Sequence, residues 1–209
     1  MHKMERMKAL ILIDIQNDFL PGGSLAVKNG DEIIPVVNRL QQHFDLVLAT
    51  QDWHPRNHLS FASSYPGKEP GDHIDLGGID QALWPDHCVQ DTPGAEYPRE
   101  FHTDKIVRVI RKGVDPAIDS YSGFFDNQHK RSTGLHDLLR KHGISFLVLT
   151  GLAADVCVKY TALDALKLGY EVFLVKDATK AVGGDKAFLE TLNEMREKGA
   201  RVVSSEEAI

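Results

Sequence analysis

Apolar runs of six to eight residues return along this chain with a helical segment between most of them, and that rhythm limits the fold more tightly than any single motif. The runs are KALILIDI (8–15), DLVLATQD (45–52), KIVRVIRK (105–112), SFLVLTGL (145–152), EVFLVKDA (171–178) and ARVVSS (200–205). Their length and β-branched content predict strands. Between them, DEIIPVVNRLQQHF (31–44), TGLHDLLRKHG (133–143), residues 155–169 and DKAFLETLNEMREKG (185–199) carry apolar residues at helical spacing, with acidic starts and glycine stops. Most strand runs are apolar without alternation, so both of their faces need cover. An α/β fold follows: a doubly wound, mostly parallel sheet with helices on both faces. With 209 residues, 42% hydrophobic and 26% charged, the chain can bury one sizeable core, and a single domain over 1–209 is expected.

Residues 53–104 break the rhythm, being rich in His, Pro, Gly and Asp. Irregular segments of that length inside a compact domain are uncommon and are often lids or binding loops. This one is expected to be a loop-rich insertion that acts as a lid or binding loop.

The net charge of -6, with no basic run, argues against nucleic acid and acidic membranes as partners. The opening MHKMERM is polar, and ALILIDI is cut by Asp14 before it could serve as a signal or membrane segment. A cytoplasmic protein acting on a small molecule is expected, with a homo-oligomer left open. Cys88 and Cys157, without a CxxC, read as thiols in a reducing compartment.

In open α/β sheets the ligand crevice lies beyond the carboxyl ends of the strands. Asp14 ends the first run, Asp52 and His54 follow the second, Lys112 ends the third and Cys157 comes just after the fourth. Any one of these alone is more often a turn residue or a cap; five at one edge are not. If Asp155 caps the following helix, Cys157 sits in its first turn, where free N–H groups favour a thiolate and can hold an oxyanion. A nearby Lys112 would lower the thiol pKa further. Cysteine is usually a buried packing residue, but Asp14, stranded after five apolar residues, would be costly without a partner. Asp14, Lys112 and Cys157 together supply base, charge and nucleophile for acyl transfer.

Asp52 and His54 lie two apart, so on extended backbone their side chains share a face. His87 is the natural third metal ligand, and His58 a fourth candidate or a supporting group. Asp/His sites suit zinc, iron or manganese. Cys88, beside His87, reads as a packing residue.

The stretches LILIDIQNDFLPGGSLAV, ATQDWHPRNHLSF, WPDHCVQDTPGAEY, IRKGVDPAIDSYSGFFDN and LTGLAADVCVKYTALDALKLGYEVFLVKDAT together resemble the nicotinamidases, also called pyrazinamidases, of the isochorismatase-like cysteine hydrolases. The resemblance runs in order from about residue 8 to 180. It implies a catalytic triad of Asp14, Lys112 and Cys157, and one divalent metal on Asp52, His54 and His87. His58 stands where some relatives have a further ligand, and Ser60 where some reach the metal through water. The likeness also implies an oxyanion hole from the amides of Ala153 and Cys157, with a cis peptide between Leu152 and Ala153. Phe19, Trp84 and Tyr121 match aromatics that sandwich a pyridine ring, and Leu152 and Val156 match the pocket wall. Ala154 occupies a position often held by threonine. The implied reaction is hydrolysis of nicotinamide to nicotinate and ammonia through a cysteine thioester, in NAD salvage, without an organic cofactor.

Two other readings remain at this point. A metal-activated water could be the nucleophile, leaving Cys157 structural. A flavodoxin-like module could bind a nucleotide at the strand ends, although neither G-x-G-x-x-G nor a P-loop is present and PGGS (21–24) is the nearest feature.

Overall fold

The computed structural model describes residues 7–209; the polar opening MHKMER, read above as no targeting segment, lies outside the described residues. Six strands form the main sheet: β1 (Lys8–Ile13), β2 (Leu46–Asp52), β5 (Ile106–Lys112), β6 (Phe146–Leu152), β7 (Glu171–Lys180) and β8 (Arg201–Val203). Their order is β5-β2-β1-β6-β7-β8, and every pairing is parallel. The predicted doubly wound α/β sheet is therefore the observed one.

Side-chain alternation on β1 explains why its run is unbroken. Ala9, Ile11 and Ile13 enter a core with Leu135, Leu139, Ala162, Ala165, Leu192 and Met195, the apolar faces of α2 (Leu135–Lys141), α3 (Lys159–Lys167) and α4 (Gly184–Glu197). Leu10 and Leu12 enter the opposite core with Val37 and Leu40 of α1 (Ile34–Leu40) and with Cys88, Ala95 and Phe101 from the irregular segment. That segment thus does a helix's work in covering one face. It is not wholly irregular: β3 (His73–Leu76) and β4 (Ile79–Ala82) form a separate antiparallel hairpin around Gly77 and Gly78, which the sequence reading passed over.

The direction in which the strand order advances reverses between β1 and β6. From β1 the order proceeds to β2 and β5 on one side and to β6, β7 and β8 on the other, so a crevice opens above the ends of β1 and β6. Asp14 follows one strand and Cys157 lies just beyond the other. No described helix is long and apolar enough to cross a membrane.

Candidate active site

Asp14 leaves β1 with φ 47°, a left-handed conformation that costs a non-glycine residue energy and turns its side chain across the sheet edge. Its Oδ1 accepts a hydrogen bond from the Thr50 hydroxyl at 2.6 Å, and the Thr50 oxygen accepts the Asp14 N–H at 3.2 Å. Its Oδ2 lies 2.9 Å from Lys112 Nζ. Lys112, at the end of β5, also donates to Asp52 Oδ1 at 2.6 Å, to the Ser120 carbonyl at 2.8 Å and to Cys157 Sγ at 3.4 Å. All four side chains are buried.

Burial opposes the charge on Lys112, but the Asp14 and Asp52 carboxylates together hold it protonated well above the ordinary lysine range. Burial pushes the Cys157 thiol well up; Lys112 opposes, while Asp14 and Asp52 add to the rise. The net direction is opposite to the lowered thiol pKa expected from the sequence. Desolvation and the two carboxylates that already claim the lysine outweigh its pull on the thiol. Burial likewise raises Asp14 against the pull of Lys112.

The helix start also differs from expectation. Asp155 does not cap; Ala154–Val158 form a π turn that leads into α3, and the Asp155 carboxylate accepts the N–H groups of Val182 and Gly183 instead. Cys157 sits within that turn, and the Leu152–Ala153 peptide is cis.

Beside the triad, donor atoms of Asp52, His54 and His87 converge within 4.8 Å of one another. His54 Nδ1 is 3.0 Å from the Gly113 carbonyl and His87 Nδ1 is 2.8 Å from that of Pro85, so each Nδ1–H donates to backbone and each Nε2 is left as an acceptor. Those Nε2 atoms lie 3.5 and 3.9 Å from Asp52 Oδ2. Burial, with His54 nearby, lowers His87 to about 4 and keeps it neutral, the form that binds metal. His54 Nε2 and His58 Nε2 are buried without a hydrogen-bond partner, an expensive state that a cation would relieve.

His58 lies outside that trio; its ring centroid is 4.5 Å from that of His54, and it groups instead with His54 and Asp119. The Ser60 hydroxyl is bonded to His58 Nδ1 at 2.7 Å, which fixes the ring. Asp119, buried in the segment before Tyr121, was missed in the sequence, where no spacing ties it to a histidine sixty residues earlier. Cys88 is fully buried, with its thiol pushed well up by burial, as a packing residue should be.

Beside these groups opens a small, mainly apolar cleft lined by Phe19, Trp84, Tyr121, Ala153, Val156 and Cys157, with Asp52, His87 and Asp119 also in its lining. The Tyr121 hydroxyl accepts hydrogen bonds from Gln81 and Trp84 at 2.8 and 3.1 Å, which fixes both rings. Leu152, expected on the wall, is instead fully buried in the core behind it, packed in the same layer as Phe19, Val27 and Ala153, which do line the cleft. Leu25, Val27 and Val182 complete the wall and were not foreseen.

Residues 8–207 match the isochorismatase domain family. The nicotinamidase of Escherichia coli (strain K12) is 49% identical over 179 residues, 84% of each chain. Among solved structures, the nicotinamidase/pyrazinamidase of Acinetobacter baumanii superposes with TM-score 0.94 at 40% identity, covering 99% of this chain and 100% of that one. The pyrazinamidase of Pyrococcus horikoshii, solved in complex with zinc, gives TM-score 0.77 at 39% identity over 95% and 99%. A thiol, a lysine and a carboxylate joined at the switch point, the extent of these matches and the shared fold lead to one placement: the chain belongs to the isochorismatase family of hydrolases and, within it, to the nicotinamidases.

Proposed function

We propose that this chain hydrolyses nicotinamide to nicotinate and ammonia, and pyrazinamide likewise, through a thioester on Cys157. The observation that carries the reading is the continuous contact Asp14–Lys112–Cys157 beneath a cleft walled by three aromatic rings. Phe19, Trp84 and Tyr121 hold the planar ring, and the carboxamide carbon faces the thiol.

Asp14 takes the thiol proton as sulfur bonds to the carboxamide carbon, and the amides of Ala153 and Cys157 hold the oxyanion. When the C–N bond breaks, Asp14 returns that proton to the departing nitrogen, which leaves as ammonia. Asp14 then takes a proton from water, the hydroxide oxygen bonds to the thioester carbon, and the C–S bond breaks. The sulfur recovers its proton from Asp14. Lys112 remains charged throughout and stabilises each anion that forms in turn, carboxylate or thiolate.

Asp52, His54 and His87 fit a divalent cation, since two imidazole acceptors and a carboxylate converge while His54 Nε2 makes no hydrogen bond. Such an ion supplies a Lewis-acidic anchor for the pyridine nitrogen. Zinc, iron and manganese all suit this donor set, and the zinc held by the Pyrococcus relative supports a divalent ion here. His58, Ser60 and Asp119 would support it from the side, with no organic cofactor called for. We read residues 1–209 as one domain whose 53–104 segment furnishes ligands and walls, working in cytoplasmic NAD salvage.

The test is ammonia release from three amides with and without a chelator. Nicotinamide and pyrazinamide, which place a ring nitrogen alike, should be good substrates of the metal-loaded protein, and benzamide a poor one. A displacement of about 1 Å on metal removal is enough to cost on the order of a hundredfold. Benzamide turned over as fast as nicotinamide would remove the ring-anchor role.

A further inference from the structure

The cleft wall contains a side chain whose position is set by the nucleophile's own turn. Val182 lies between β7 and α4 and lines the cleft with Cys157. A long hydrogen bond from the Gly184 N–H to the Ala181 carbonyl, at 3.4 Å, closes the turn, and Ala181, Gly183 and Gly184 have no polar side chains to fix Val182 there. The Asp155 carboxylate does so, accepting the Val182 N–H on Oδ1 and the Gly183 N–H on Oδ2, both at 2.9 Å. Asp155 stands two residues before Cys157 in the π turn, so wall and nucleophile are held by one short piece of backbone.

The approach is close. A Cβ placed on Gly183 would lie 3.0 Å from Asp155 Oδ2 and 2.7 Å from Ala187 Cβ, so glycine is what allows the turn to seat on the carboxylate. Lys180 also pairs with Glu32 at 2.9 Å, tying the end of β7 to the segment that follows Leu25 and Val27, which line the same cleft.

We propose that Asp155 is a positioning residue for substrate selection: by clamping the 182–183 backbone it holds Val182 against the bound ring and excludes aromatic carboxamides that carry a ring substituent on that side. The inference rests on the nicotinamidase reading and extends it to the class of substrate refused. The energetic scale is adequate, since one methyl group met by a rigid apolar wall is worth roughly 10- to 200-fold in discrimination.

The experiment measures kcat/KM for nicotinamide and for its 4-, 5- and 6-methyl derivatives in the parent, Val182→Ala, Asp155→Ala and the double variant, each loaded with zinc. The readout is the ratio of methylated to plain substrate, which a general loss of catalysis leaves unmoved. Val182→Ala and Asp155→Ala should each raise the ratio about tenfold for the same methyl position. The double variant should add little to either, because both act on one wall.

A ratio unmoved in Val182→Ala overturns the wall. A ratio raised there but unmoved in Asp155→Ala overturns the clamp, whatever happens to the absolute rates. Should Asp155→Ala not fold, Asp155→Asn, which keeps one acceptor oxygen and loses the second, is judged by the same ratio. A parent that releases no ammonia from nicotinamide overturns the functional reading and this inference together, whereas an active parent with fixed ratios overturns this inference alone.

Discussion

Lys112 carries more of this site than its single charge suggests, because its ammonium is shared by Asp14 at 2.9 Å and Asp52 at 2.6 Å. Replacing it leaves two buried carboxylates facing each other, and breaking a buried pair typically costs about 3–5 kcal/mol. Lys112→Ala should therefore be inactive and less stable. Its Cys157 should also be alkylated more slowly than the parent's at neutral pH, since the ammonium that pulls the thiol pKa down is gone. Alkylation at the parental rate would assign Lys112 another task. Asp14→Asn should fold yet fail to turn over, because an amide can neither take the thiol proton nor return it. Cys157→Ala should abolish ammonia release while Cys88→Ser, at a buried position packed in the apolar core, keeps most of it; equal losses would favour a metal-bound water as nucleophile. Asp14, Lys112 and Cys157 were legible because each is a chemical misfit at the end of an apolar run. Asp119 and the true partners of Asp155 were not, since both depend on segments brought together only by the fold.

At the level of elements, the end of β5 joins the two halves of the site through Gly113. This glycine has φ 64°, its carbonyl accepts from His54 Nδ1 at 3.0 Å, and a Cβ there would stand 2.6 Å from that nitrogen. Gly113→Ala must displace the His54 ring, so its metal content after dialysis should fall well below the parent's while the sheet persists. Full metal retention with an undistorted spectrum in a cobalt-loaded sample would show that the ring has room to move. The strands themselves were readable within two residues, because continuous apolar runs leave few alternatives inside a parallel sheet. The π turn was not, for its geometry follows from the seat of Cys157 and the pull of Val182 and Gly183 on Asp155 rather than from any local propensity. The β3–β4 hairpin left a trace in Gly77-Gly78, a turn signal hidden within a stretch whose overall composition reads as loop.

For the whole molecule, a cation bound only by the folded chain adds about 2.7 kcal/mol at a hundred times its dissociation constant. In a chain of this size that corresponds to roughly 5–10 °C in Tm. Chelation should lower the melting temperature of the parent by about that much and leave Gly113→Ala almost unaffected; equal shifts in both would place the stabilising ion elsewhere. The overall architecture was open to sequence reading through its alternating rhythm, whereas the strand order, and with it the crevice at β1 and β6, rests on pairings between distant segments. Those pairings also set a timetable. Lys8 pairs with Phe146, so the first strand to emerge during synthesis must wait for most of the chain before its second neighbour exists. His87 has left the ribosome long before Cys157 is made. A nascent chain can therefore gather Asp52, His54 and His87 around a cation while it still has no nucleophile, and it becomes an enzyme only when β6 closes the centre of the sheet.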